Sequence, residues 1–422
     1  MCAGSANDGD HGILTDPEVG LLESAVEAMG GTLREWSVTY IDHRPRRSST
    51  AVYRARVEWP DGERTETFGS RWPSVPVNSI GDARVLRLSN GEKEVQVWRF
   101  PADPLLPSLR AMFDRDAVDM LLRSVGVDPT GARTRVVGYR PCRRAVFELA
   151  TPLTRLYVKV LRPGLAAGVH RRLRLTRAAG LPTPRSLGWS DGGVIVLEPL
   201  PGLELRKALL RFGPQACPPS ALSAILDRLP AELAELRRRA SWSESALHYA
   251  GVIAAVAPEL RERANSVAAG VLAALEGGSG SDPVHGDFYE AQLLAAGRKI
   301  TGLLDVDSAG PGNRVDDVAC LLAHLSVLVV MAPSTSDGIR DALAGWTAWF
   351  DRQVDPRQLR VRAAGVALSL ATGPYRTQEQ GWRGAVADRV GLAEQWLATA
   401  NSRSLPDFEK ALIRVSGSSH PA

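Results

Sequence analysis

The chain changes character near Glu204. Ahead of it short alternating runs predominate, and after it apolar residues mostly recur at helical spacing. Strands gathered before helices in this way point to an α+β chain. Three strand candidates follow one another at 135–137, 145–149 and 156–161. A basic helical stretch over 165–179 comes next, stopped by Gly180-Leu181-Pro182-Thr183-Pro184, and the apolar run Val194–Leu197 closes the block. Further upstream, residues 17–29 have helical spacing, with Asp16 as N-cap and Gly30-Gly31 as the stop. Segments 33–41, 51–58 and 64–70 alternate, Pro60-Asp61-Gly62 makes a turn, and 95–100 reads as another strand before Pro101-Ala102-Asp103-Pro104. Helices are predicted downstream at 220–240, at 258–275 with Pro258 in the first turn, and at 318–330, 336–350, 356–369 and 378–399.

At 422 residues the chain exceeds one ordinary domain. Its 51 basic and 47 acidic residues nearly cancel, which argues against a nucleic-acid or membrane-surface partner. The arginine runs at His43-Arg44-Pro45-Arg46-Arg47, at His170-Arg171-Arg172-Leu173-Arg174 and at Arg237-Arg238-Arg239 read as solvated faces. Four scattered cysteines (Cys2, Cys142, Cys217, Cys320) without a C-x-x-C pair fit a reducing cytoplasm and argue against zinc or a disulfide framework. Residues 1–16 lack the basic and apolar regions of a signal peptide, and the apolar stretch 319–332 is broken by His324 and too short to span a bilayer. These features predict a soluble, cytoplasmic protein with a frayed tail after Val415.

Chemistry concentrates in His285-Gly286-Asp287, Gln292 and Leu304-Asp305-Val306-Asp307. Phosphoryl transfer asks little covalent work of a protein. It needs Mg²⁺ to neutralise phosphates, a group to orient the acceptor hydroxyl, and a water-poor cleft. Asp287 suits the catalytic base, Gln292 offers a carbonyl oxygen five residues on, and Asp305 ends the strand-like 300–304 where it would meet the metal.

This ordered set resembles the aminoglycoside phosphotransferase and choline kinase superfamily. The resemblance implies a bilobal protein-kinase-like fold with an extra N-terminal α+β cap, using ATP and Mg²⁺. It divides the chain into a disordered start (1–16), the cap (17–126), a kinase N-lobe (127–200), a mostly helical C-lobe with the catalytic loop (201–414) and a tail (415–422). By the same resemblance Lys159, inside Tyr157-Val158-Lys159-Val160, holds nucleotide phosphates, and Arg143 lies in the phosphate-covering turn Gly138-Tyr139-Arg140-Pro141-Cys142-Arg143-Arg144. The backbones of Glu198 and Leu200 would read adenine, Asp307 would be a second acidic residue near the metal, and Asp317 would brace the catalytic loop. Two departures stand out. The amide position holds Gln292 instead of Asn, moving the carbonyl by roughly 1.5 Å, as is familiar in bacterial maltokinases. The helix after the Lys159 strand has no glutamate to pair with that lysine, leaving another acid such as Glu148 as the partner, or Lys159 held differently.

The expected activity is transfer of the γ-phosphate of Mg-ATP to a hydroxyl of a small molecule (aminoglycoside, sugar or other natural product). The alternatives are a nucleotide-binding pseudokinase and a maltokinase-like sugar 1-kinase. The sequence does not name the acceptor or the oligomeric state.

Overall fold

Why the chain builds two kinds of structure is visible in a computed structural model that describes residues 19–44, 48–73, 84–89, 94–275 and 280–402. The expectations for 1–16 and for the tail lie outside the described residues.

The chain divides into two compact units. One comprises 1–167, 188–196 and 375–380, and the other 168–187, 197–374 and 381–422. The first unit holds two five-stranded sheets. In the N-terminal one, β1 (Thr32–Arg44), β2 (Ser48–Trp59), β3 (Gly62–Pro73), β4 (Val85–Ser89) and β5 (Glu94–Arg99) run in the order β1-β2-β3-β5-β4 with antiparallel neighbours. The Pro60-Asp61 turn sets Trp59 opposite Gly62, as its residues demand. The helix Val19–Ala28 buries Ala25 against Val95 and Val97, with Leu86 and Leu88 packed around them.

The second sheet is formed by β6 (Arg133–Arg140), β7 (Arg144–Ala150), β8 (Arg155–Leu161), β9 (Ser186–Trp189) and β10 (Val194–Leu197), ordered β6-β7-β8-β10-β9. Leu156, Val158 and Val160 are buried while Tyr157 and Lys159 share the half-buried face, the alternation a strand imposes. The basic helix Ala166–Ala178 separates β8 from β9. Two five-stranded sheets in one unit and a mostly helical second unit make an α+β chain.

In the second unit the helix Arg314–Met331 is buried almost throughout, and Pro356–Leu370 packs its apolar side against the same core. Two predicted helices are shorter than their periodicity suggests. The run 220–240 is helical only over Pro219–Asp227, because Pro230 lacks the N–H the next turn needs; a 3-10 turn, Ala231–Glu235, follows. The run 378–399 is helical from Trp382 to Ala398, since Gln378 and Gly381 both take positive φ. Pro258 opens a 3-10 turn ahead of the helix Arg261–Ala274. The strands β4 and β9, together with the helices Arg115–Ser124, Leu205–Phe212 and Ala246–Val256, are elements that sequence periodicity leaves unmarked.

Candidate active site

Local pairing gathers the chemistry-bearing side chains of the second unit, where β11 (Leu203–Glu204) sets Leu203 opposite Ala295. The strand β12 (Asp282–Val284) pairs antiparallel with β15 (Gly310–Gly312), setting Val284 opposite Gly310. His285-Gly286-Asp287 therefore leaves one strand beside the segment 305–309 that enters the other. Between them β13 (Leu293–Ala296) and β14 (Lys299–Leu303) form a hairpin with Leu293 opposite Leu303. Gln292 and Asp305 flank its open end, and the Leu304 N–H donates to the Gln292 carbonyl at 2.8 Å. Asp305 itself adopts φ 56°, a left-handed conformation uncommon for a side chain with a Cβ.

The His285-Gly286-Asp287 loop is held from behind. Asp317, in the first turn of Arg314–Met331, accepts the backbone N–H groups of His285 at 2.7 Å and Gly286 at 2.8 Å. Burial pushes its carboxyl up to about 7, although those two N–H groups favour the ionised form. The His285 ring is fully enclosed, and burial lowers its pKa, so it is neutral. The Asp287 N–H donates to Nδ1 at 3.3 Å, which assigns the ring hydrogen to Nε2, 2.9 Å from the Leu304 carbonyl. One imidazole thus ties the backbone of Asp287 to the residue before Asp305. Gly286 has φ 78°, and a Cβ there would sit 2.9 Å from the Ser308 carbonyl oxygen, so only glycine fits this turn.

Of the expected metal ligands, Gln292 and Asp305 touch. The Gln292 Nε2 lies 3.4 Å from Asp305 Oδ2 and 3.1 Å from the Tyr289 hydroxyl, so the amide N–H, not its oxygen, faces the carboxylate. Tyr289 stacks on His324 with ring centroids 4.0 Å apart, and burial drives His324 down to about 3. Among the described residues no group of three or more His, Cys, Asp or Glu is drawn together at metal-ligating spacing. The Asp305 carboxylate is the hard-oxygen type Mg²⁺ favours, and the Gln292 amide would offer a second such oxygen only once turned over. Asp307 lies two residues on, close enough to Arg172 to hold up that guanidinium's basicity.

Lys159 and Arg143 lie in the first unit, and Glu198 and Leu200 in the second. Lys159 stands opposite Val146 in the β7–β8 ladder. Glu148 is engaged by Arg135 at 3.1 Å, Arg155 at 3.7 Å and the Tyr157 hydroxyl at 3.3 Å. The turn after β6 is fastened within its own unit. The Trp98 indole N–H donates to the Tyr139 hydroxyl, which donates to Asp103, and Asp103 also accepts the Cys142 N–H. Arg143 reaches Asp42 of β1 at 3.7 Å. The Glu198 N–H is occupied by the Arg185 carbonyl at 2.9 Å.

Sequence reasoning missed Asp103, Tyr289, Arg172 and Arg239. Only Tyr289 carries a local signal, its place between Asp287 and Gln292. The other three are distant in sequence from the residues they serve.

The profile of the phosphotransferase enzyme family matches residues 143–360, just over half of the 422-residue chain. The chain belongs to that family. Asp287, Gln292, Asp305, Asp307 and Asp317 all fall within the matched span, and so does Lys159. No curated protein sequence matches significantly. Among solved structures, the phosphotransferase is similar to a thermostable mutant of an aminoglycoside phosphotransferase in apo form, at 12% identity over 67% of this chain and 99% of that one, TM-score 0.48. It is also similar to a choline/ethanolamine kinase family protein from Mesorhizobium loti (15% identity, 71% and 98% coverage, TM-score 0.43). A macrolide 2′-phosphotransferase from Brachybacterium faecium is a third likeness (19%, 66% and 98%, TM-score 0.39). Among the described residues no helix is long and apolar enough to cross a membrane. Cys142, Cys217 and Cys320 are buried free thiols.

Proposed function

We propose that the protein transfers the γ-phosphate of ATP to a hydroxyl group of a small molecule, with Asp287 as the base. The observation that carries this reading is the clamped loop: Asp317 holds two consecutive N–H groups, His285 ties Asp287 to Leu304, and Gln292 meets Asp305. Asp287 accepts a hydrogen bond from the acceptor hydroxyl and takes its proton as the oxygen bonds to phosphorus and ADP leaves. Gln292, Asp305 and Asp307 would hold Mg²⁺, for which the Gln292 amide must turn its oxygen toward Asp305. Bound there, Mg²⁺ supplies charge neutralisation for the phosphates. Lys159 and Arg143 would serve the nucleotide phosphates, and the backbones of Glu198 and Leu200 the adenine. Because the Glu198 N–H is already engaged, its carbonyl is the group left for the base.

The test is phosphate release and transfer from γ-labelled ATP, in the wild type and in Asp287→Asn. The expected loss is on the order of 10²–10⁴ with nucleotide affinity retained. Near-normal turnover in Asp287→Asn sinks the assignment. Nucleotide binding without turnover in the wild type favours the pseudokinase reading, toward which the inward-facing Gln292 amide leans.

A further inference from the structure

The helix that in the resembled family carries a glutamate carries arginine here, and one of those arginines is turned to the catalytic segment. Arg172 Nε donates to the Ala309 carbonyl at 2.7 Å, and its Nη1 to the Gly168 carbonyl at 3.1 Å. Arg239, from the irregular stretch that follows Ala231–Glu235, donates to the neighbouring Ser308 hydroxyl. Two guanidinium groups thus converge on consecutive residues, Ser308 and Ala309, directly after Asp305 and Asp307. All of these residues belong to the second unit.

Their charges are poorly matched. Neither Arg172 nor Arg239 has a carboxylate within 4.0 Å among the described residues, whereas Arg238 next door is paired with Glu244. Burial lowers the basicity of Arg172; Asp307 opposes that, and Arg239 and Arg171 add to it. Arg239 and Ser308 also line a cavity of about 160 Å³, together with Gly286, Trp242 and Tyr249. Its acidic walls are already engaged: Asp316 by Arg362 and the Ser243 hydroxyl, Asp317 by backbone N–H groups, Glu244 by Arg238. What the cavity leaves for a ligand is positive charge, and Gly286 in its wall precedes the proposed catalytic aspartate.

We propose that the acceptor is an anion: a small hydroxyl compound bearing a carboxylate or phosphate, gripped by Arg172 and Arg239 beside Ser308, with its body in the adjoining cavity. This rests on the phosphotransfer reading above. Guanidinium groups recognise carboxylate and phosphate through charge-assisted, often bidentate hydrogen bonds. A polycationic aminoglycoside would meet two unneutralised arginines at the same place, so the site selects against that class.

The test has a binding arm and a turnover arm, both on the full chain. Inorganic sulfate is titrated calorimetrically into the wild type, Arg239→Gln and Arg172→Gln, with and without a non-hydrolysable ATP analogue. One saturable sulfate site is expected, weakened at least tenfold in Arg239→Gln and still present with the nucleotide analogue bound. Arg239 is exposed, so this variant folds even if Arg172→Gln does not. No saturable site, no effect of Arg239→Gln, or displacement of sulfate by the analogue would each overturn the proposal, the last by giving the arginines to the γ-phosphate. In the turnover arm, γ-labelled ATP is offered with hydroxy acids, sugar phosphates, neutral sugars and aminoglycosides. Transfer to the anionic compounds, with a KM raised at least tenfold in Arg239→Gln and kcat little changed, supports it. Transfer confined to neutral or cationic acceptors overturns it. Sulfate binding with no transfer to any compound counts against the phosphotransfer reading and removes the acceptor assignment with it.

Discussion

Asp317→Asn and Asp317→Ala dissect the clamp on the catalytic loop. The native carboxylate accepts the His285 and Gly286 N–H groups at 2.7 and 2.8 Å in a fully buried site. Asparagine has one carbonyl oxygen to offer, so one buried N–H loses its acceptor; alanine removes both. An orphaned buried donor costs about 1–3 kcal/mol. Amide exchange at His285 and Gly286 should therefore speed up roughly 5- to 150-fold in the asparagine variant, and by about the square of that factor in alanine. Hydrogen exchange read by mass spectrometry or NMR measures this without an acceptor substrate. Exchange within about twofold of wild type in both variants would refute the clamp. The same residue predicts an opposite global trend. Burial first, and then Asp316, raise the Asp317 pKa to about 7, against the pull of the two N–H groups and Arg314. The native state therefore keeps a proton that the unfolded chain releases near 3.8. Between those values folding binds protons, so this group's contribution to stability falls as pH rises toward 7 and is lost above it. Asparagine has no such slope. From pH 5 to pH 8 the unfolding free energy of Asp317→Asn should gain on wild type, by no more than about 3 kcal/mol. A pH-independent difference would show that Asp317 does not titrate in this window.

Two further perturbations test the scaffold. Asp103→Ala strips the acceptor from both the Tyr139 hydroxyl and the Cys142 N–H, and should lower denaturant stability by about 2–4 kcal/mol; a change under about 0.5 kcal/mol would show that the turn after β6 does not depend on it. Arg362→Met leaves the half-buried Asp316 without its 2.9 Å guanidinium partner and should cost up to about 3–5 kcal/mol, with Arg362→Met/Asp316→Asn recovering at least half; equal loss in single and double variants would rule out the uncompensated charge as the cause.

What the sequence disclosed followed from how local each feature is. Strand β14 was legible because a short apolar run there ends in an acid, Asp305. Strand β10 was legible because four consecutive apolar residues sit between turns. The helix expected through 220–240 stops at Asp227, ahead of Pro230, which cannot donate an N–H. Strand β4 alternates over only five residues, and β9 contains a glycine, so neither carries a strong pattern. Arg172 and Arg239 looked like members of solvated arginine runs, and only tertiary contact at Ser308 and Ala309 sets them apart from Arg171 or Arg237. Asp317 was legible through the resemblance, and its two hydrogen bonds supply the physical reason.

The nested pairs β12–β15 and β13–β14 close within about thirty residues, from Asp282 to Gly312. Asp287, Gln292, Asp305 and Asp307 all lie inside that closed span, so their mutual placement is written into one short stretch of chain. Arg239, Trp242 and Tyr249 come from a separate segment between Ala231–Glu235 and Ala246–Val256, or from that second helix itself. Inheritance can therefore act on the two independently. Under the proposed assignment, exchanging residues 236–245 for those of a relative should change which compound is accepted while residues 282–312 stay unaltered.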